Sequence, residues 1–268
     1  MTNGTSHQPR VRSGRGAHWV GQALAMVAHR PGVFMTMGLI VGAIYLVPLL
    51  GGLVLLVLGP AVLAGAVIAA RDADRGGHPG VGHMFQLFQE ESRLGQGLRL
   101  CVPLVAGQLL AGFVIGIPVA RAMLRAGLDL AAVQSHPEVI VNLMGASLLL
   151  WAGLALLVML CAYAFTATAI AQVALNDRPA FAAMAESLRL VRTQPGAWIV
   201  TALLLFGGMF VLALLVVALG VPALAQAVCY AALYAVLGPL LYAAWRDLCV
   251  PAADHETTGA PPPQVLEA

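Results

Sequence analysis

Four stretches of this chain, 33–70, 100–120, 139–176 and 193–245, contain no Asp, Glu, Lys, Arg or His. A bilayer core of about 30 Å is crossed by roughly 20 apolar residues in helical form. Each stretch reaches that length, and a helix is the element that satisfies its own backbone inside lipid. The pattern predicts an all-α membrane protein. Composition agrees, because only 10% of residues are charged and 60% are hydrophobic. A soluble domain carries about 25% charged residues, and this chain has too little charge to cover a water-facing surface.

Three of the four stretches are longer than a single crossing needs, and two of them divide at a Gly/Pro break. The 53 residues of 193–245 would make a helix of about 80 Å. Gly220-Val221-Pro222 is the natural break, since Gly tolerates turn geometry and Pro lacks an amide donor. The 38 residues of 33–70 divide most evenly at Pro48 with Gly51-Gly52, which leaves Pro60 as a kink within the second span. The stretch 139–176 has the same length and could be one long helix or two short ones. Arginine placement decides between them, because cytoplasmic loops collect positive charge. All fourteen basic residues are Arg. A single long helix puts twelve of them inside and leaves Arg121 and Arg125 outside, whereas two helices divide them eight to six. Six spans follow, at about 33–48, 52–70, 100–120, 139–165, 197–219 and 223–245, with the turns around 166–176 projecting past the cytoplasmic headgroups or kinking there.

Both termini are then cytoplasmic, and the expected location is a bacterial inner membrane. Residues 1–16 are rich in Gly, Ser and Arg without an apolar segment, which reads as a disordered tail and not a cleaved signal peptide. Residues 251–268, with Pro261-Pro262-Pro263, read as a second disordered tail, leaving 17–250 as the membrane domain.

Each pair of spans is preceded by a stretch with helical apolar spacing. Trp19, Val20, Ala23, Leu24 and Val27 form the first, and Val81, Met84, Phe85 and Phe88 the second. Phe181, Met184, Ala185, Leu188 and Val191 form the third. Such segments lie in the headgroup layer or pack on the ends of a bundle. Internal similarity accompanies them. Pro31-Gly32-Val33-Phe34 opens the first span and Pro195-Gly196-Ala197-Trp198 the fifth. Leu58-Gly59-Pro60 precedes Arg71-Asp72 much as Leu237-Gly238-Pro239 precedes Arg246-Asp247. The inferred plan is three transmembrane hairpins, each led by an amphipathic helix on the cytoplasmic side.

The stretch 16–88 carries Trp19, Arg30-Pro31-Gly32, Pro48, Gly59-Pro60, Gly65, Arg71, Asp74-Arg75-Gly76 and Met84-Phe85. In these features it resembles a family of uncharacterised proteobacterial inner-membrane proteins. The layout is similar, more loosely, to the membrane domain of some glycerophosphodiester phosphodiesterases, without their catalytic domain. The resemblance implies this architecture and no activity.

Candidate sites are few. Arg71, Arg192 and Arg246 fall at one expected membrane level and are candidates for lipid headgroup contact. Gln108, Asn142 and Gln226 are candidates for lining a polar cavity, against the plainer role of interhelical hydrogen bonding. Gly38-x-x-x-Gly42 and Gly112-x-x-x-Gly116 permit close helix approach within the bundle. The four Cys are widely spaced and read as packing residues. No HExxH, GxSxG or Walker motif occurs, so no metal, cofactor or catalytic residue is expected. Because the Arg residues flank apolar runs and do not form a block, nucleic acid is not an expected partner. Membrane lipids are, together with protein partners or further copies of the chain. The expected role is a non-catalytic inner-membrane protein that organises lipids or protein partners, with a transporter or small-solute pathway as the alternative.

Overall fold

The computed structural model describes residues 14–47, 50–89, 91–129 and 138–249. The expected C-terminal tail and all of the N-terminal one but residues 14–16 lie outside the described residues, and so does Pro48. The described residues are helical, with no strand among them. In chain order, α1 is Arg15–His29, α2 Pro31–Tyr45 and α3 Leu50–Asp74. A 3-10 helix, Val81–Phe88, leads into α4, Glu91–Arg99, and α5, Cys101–Ala126. Then come α6 (Glu138–Met144), α7 (Ala146–Thr166), α8 (Ala169–Asn176), α9 (Ala180–Thr193), α10 (Pro195–Ala218) and α11 (Pro222–Cys249). Five segments are long and apolar enough to cross a bilayer: Leu50–Asp74, Ser92–Ala126, Ala146–Asn176, Pro195–Ala218 and Leu224–Cys249. The count is six if the bent pair α1–α2 forms one more span.

That bent pair occupies the place of the first expected span. The 15 residues of α2 rise only about 22 Å, and α1 meets α2 at 103°. The corner is Arg30, at φ −134° and ψ 54°, with Pro31 opening α2. A residue before Pro is pushed out of helical geometry, while Pro itself suits the first helical position. The junction of α9 and α10 repeats this: Gln194 sits at φ −139° and ψ 54°, and Pro195 opens α10. The similarity of the two Pro-Gly motifs is thus matched in backbone conformation.

Gly51 and Gly52, expected in the first turn, already belong to α3. A Cβ on Gly51 would overlap the Ile44 carbonyl oxygen, so glycine there lets α3 start close against the end of α2. Pro60 lies inside α3, as expected. The long helix expected over 139–176 is divided. Gly145, at φ +51°, separates α6 from α7, and Ala167 and Thr168 separate α7 from α8. Of the two courses expected for 166–176, the chain breaks at 167–168, and residues 169–174 are all buried.

Helix α3 is central, with every residue from 59 to 70 buried. Glycines and alanines make its close contacts. A Cβ on Gly65 would strike the His83 carbonyl oxygen and Met84 of the 3-10 helix, and one on Gly238 of α11 would strike Ala66. Helices α3, α8 and α11, the exit helices, pack on one another. Each amphipathic leading segment docks on one of them. Helix α1 packs on α11, the 3-10 helix and α4 on α3, and α9 on α7 and α8.

Each leading segment buries part of its apolar face and leaves the rest exposed. The 3-10 helix buries Met84 and Leu87 and exposes Phe85, because three residues per turn align 81, 84 and 87. Helix α9 buries Ala180, Ala183, Met184 and Ser187 and exposes Phe181. Its small residues admit close approach, and Ser187 serves the break in the facing helix. Helix α1 buries Trp19, Ala23 and Val27, leaving Leu24 exposed. Each segment thus packs on the bundle and also presents one large apolar side chain outward.

Candidate functional site

Polar and charged side chains gather where the exit helices end. Tyr242 and Arg246, one turn apart on α11, share a helix face. Both reach Asp74 in the last turn of α3. Arg246 Nη1 lies 2.6 Å from each carboxylate oxygen, and the Tyr242 hydroxyl donates to Oδ2 at 2.7 Å. The Arg246 guanidinium also sits 5.7 Å from the centre of the Tyr242 ring. The next residue, Asp247, accepts from Trp19 Nε1 at 2.8 Å and pairs with Arg15 Nε at 3.1 Å. Two adjacent residues at the end of α11 therefore hold α3 on one side and α1 on the other. Arg30 adds a hydrogen bond to the Gly77 carbonyl beyond α3.

Of the expected headgroup ligands, Arg246 has this protein carboxylate as its counter-ion. Arg71 is half-buried in the last turn of α3 and Arg192 is exposed in the last turn of α9. Neither makes a hydrogen bond or ion pair with a described residue. The three stand on three helices, and no contact joins them among the described residues.

The expected polar-cavity residues are also apart. Gln108 is exposed on α5, Asn142 is exposed on α6, and Gln226 lies near the start of α11. Gln226 Nε2 donates to the Tyr45 hydroxyl of α2, and the Tyr45 ring stacks on Tyr230 with centroids 4.1 Å apart. This is a helix-to-helix bond between α11 and α2. The glycine pairs separate in the same way. Gly38 and Gly42 meet Ala231, Ala235 and Ala227 of α11, whereas Gly112 and Gly116 face open space. The expectation that both pairs pack inside the bundle holds for the first and not for the second.

Sequence reading passed over the polar group at the break between α7 and α8. Ser187 of α9 accepts from the Thr168 amide at 3.0 Å and donates to the Ala164 carbonyl at 2.8 Å. It thereby serves backbone groups that a continuous helix would have paired. Nearby, Arg178 Nη1 donates to Gln172 Oε1 at 3.0 Å, and the Ala180 amide donates to Gln96 Oε1 at 2.8 Å. The one signal for Ser187 in the sequence is its place as a small polar residue on the apolar side of α9.

A groove of about 570 Å³ opens between α5 and the α6–α7 segment. It is lined by Leu110, Phe113, Ile117, Leu143, Met144 and Trp151 among others, with Arg121 and Arg125 at one end. None of Gln108, Asn142 and Gln226 lines it. Among the described residues no group of three or more His, Cys, Asp or Glu is placed to hold a metal ion.

Nothing among known protein families, curated proteins or solved structures matches this chain. Its chemistry is therefore read from the side chains alone. The clustered polar groups act as ties: Asp74 and Asp247 accept from donors on other helices, Gln96 and Gln172 accept from Ala180 and Arg178, and Gln226 donates to Tyr45. The groove differs, because its walls are apolar and its two charges carry no protein counter-ion among the described residues.

Proposed function

We propose that this is a multi-pass protein of a bacterial inner membrane, with six spans arranged as three hairpins and both termini in the cytoplasm. Its role in this reading is to organise lipids or protein partners without catalysis. Membership of the resembling proteobacterial family belongs to the same proposal.

The observation that carries the reading is that polar side chains form ties between helices, within the expected spans at Gln226 and at their cytoplasmic ends at Gln172 and Ser187, while Gln108 and Asn142 face outward. Gln226 is bonded to Tyr45, Gln172 to Arg178, and Ser187 to the backbone of the facing helix. Polar side chains in lipid favour such interhelical bonds. A solute pathway would need them turned toward a shared water-filled space. Meanwhile α5, α7 and α10 present broad apolar surfaces, including Leu109, Phe113, Leu149, Leu203 and Phe210, all more than half exposed. Such surfaces suit acyl chains and partner helices.

Two experiments test this. Reporter fusions behind Gly127 should score periplasmic and those behind Cys249 cytoplasmic; the opposite result at either position removes the six-span layout. Purification in native-lipid discs, followed by mass spectrometry, should recover a reproducible lipid or protein complement. Solute-specific uptake into vesicles reconstituted with the pure protein would move the assignment to transport.

A further inference from the structure

We propose that the groove between α5 and the α6–α7 segment seats one anionic phospholipid, with its phosphate at Arg121 and Arg125 and one acyl chain lying along the apolar walls. The inference rests on the membrane reading proposed above, in which α5 and α7 cross the bilayer and the span layout puts Arg121 and Arg125 on the side opposite the other arginines.

Charge is the first argument. Arg121 and Arg125 are one turn apart on the same side of α5 and both border the groove. Neither forms a hydrogen bond or ion pair with a described residue. Guanidinium groups bind phosphate oxygens in bidentate fashion and shed water more readily than ammonium groups. They are also the only two Arg of the fourteen that the span layout puts on the side where basic residues are scarce. Anchoring a span end needs no groove beneath the charge.

Depth is the second argument. Leu110, the deepest α5 residue of the groove, lies eleven positions before Arg121, or about 16 Å of helix. One leaflet is about half of the roughly 30 Å hydrocarbon core. The wall from Arg121 to Leu110 therefore matches one leaflet, with charge at headgroup level and Leu110 near the midplane. Phe113, Ile117, Leu143 and Met144 line the path between them, and Trp151 adds an aromatic wall. Ser147, the neutral polar residue of the lining, already donates to the Met144 carbonyl at 2.6 Å, so it asks nothing of an occupant. The volume of about 570 Å³ falls in the usual range for small-molecule sites, roughly 300–1,000 Å³.

The test uses the full chain in nanodiscs of equal phosphatidylglycerol and phosphatidylethanolamine, with retained lipid counted by native mass spectrometry. Wild type should retain phosphatidylglycerol preferentially. The pair Arg121→Gln with Arg125→Gln should lower that preference by about tenfold or more, while Arg99→Gln with Arg189→Gln, at exposed arginines outside the groove, should leave it in place. Ala122→Phe, which fills the groove and keeps both arginines, should lower it as well, and serves if the double variant does not insert. Unchanged retention in both groove variants would overturn the proposal. So would a wild-type dimer that the groove variants dissociate while lipid retention stays constant, because a second copy would then occupy this face. A chain that fails to fractionate with membranes would defeat the membrane reading itself, whereas an embedded chain without lipid preference defeats only this inference.

Discussion

Trp19 and Asp247, 228 residues apart in sequence, are joined by a 2.8 Å hydrogen bond from the indole Nε1 to Oδ2. Trp19 is fully buried, and its ring lies 5.1 Å from that of Trp198. One side chain thus ties the leading helix of the chain to the end of α11 and the start of α10. Trp19→Phe keeps most of the packing and removes the donor, so it should cost about 1–3 kcal/mol. Trp19→Ala should cost about 3–5 kcal/mol by leaving a cavity. Thermal unfolding in mild detergent measures both, and equal melting temperatures for the two variants would contradict the separate contributions of bond and packing.

Asp74 and Arg246 form the second clamp, with both side chains about a quarter exposed. Removing one partner strands the other, and the Tyr242 hydroxyl also loses its acceptor if Asp74 becomes Ala. Asp74→Ala should therefore destabilise more than Arg246→Ala. The exchange of Asp74→Arg with Arg246→Asp should recover part of the loss from either reversal alone. A double-mutant cycle on unfolding free energy checks this, with an expected coupling of about 1–3 kcal/mol. A coupling near zero would show that the pair is only a neighbourly arrangement of charges.

The two glycine pairs should behave oppositely. Gly38→Leu must displace the Ala231 carbonyl and the Ala235 methyl, and overpacking of this kind costs about 1–3 kcal/mol or more. A Cβ at Gly112 or Gly116 would meet nothing within 4 Å, so Gly112→Leu and Gly116→Leu should leave monomer stability unchanged. Melting temperature and elution volume, measured together, test the contrast. Loss of folding from Gly112→Leu would place an unseen neighbour on α5.

Ser187 offers a fourth test. Ser187→Ala leaves the Thr168 amide without its side-chain acceptor, at a cost of about 1–3 kcal/mol. Hydrogen exchange should rise at Thr168 and its neighbours while protection in α3 is kept. Uniform protection across the break would mean that α7 and α8 close into one helix without Ser187.

Much of the architecture was legible because lipid imposes length and charge rules on each segment by itself. The uncharged runs, the break at Gly220, the corner before Pro31 and its repeat before Pro195 all follow from local chemistry. The faces of the leading segments were less legible. Apolar spacing placed Phe181 and Phe85 on one face with Met184 and Met84, yet both phenylalanines face out while Ala183 and Leu87 pack inside. In a membrane bundle an apolar side chain is at home on either surface, so hydrophobic periodicity loses its power to tell inside from outside. Small size then becomes the better guide to contact, as at Gly38, Gly65 and Gly238.

Fold class and the positions of the apolar segments are properties of the sequence alone, since roughly 20 uncharged apolar residues have few other homes than a bilayer or a buried core. The partners of the polar residues were decided by tertiary structure. Nothing local says that Arg246 meets Asp74, that Asp247 meets Trp19, or that Gln226 meets Tyr45. Those pairings depend on exit helices converging and on each leading segment docking on one of them. They carry the site chemistry because a polar group held among apolar helices is stabilised by whichever donor or acceptor the packing brings within reach.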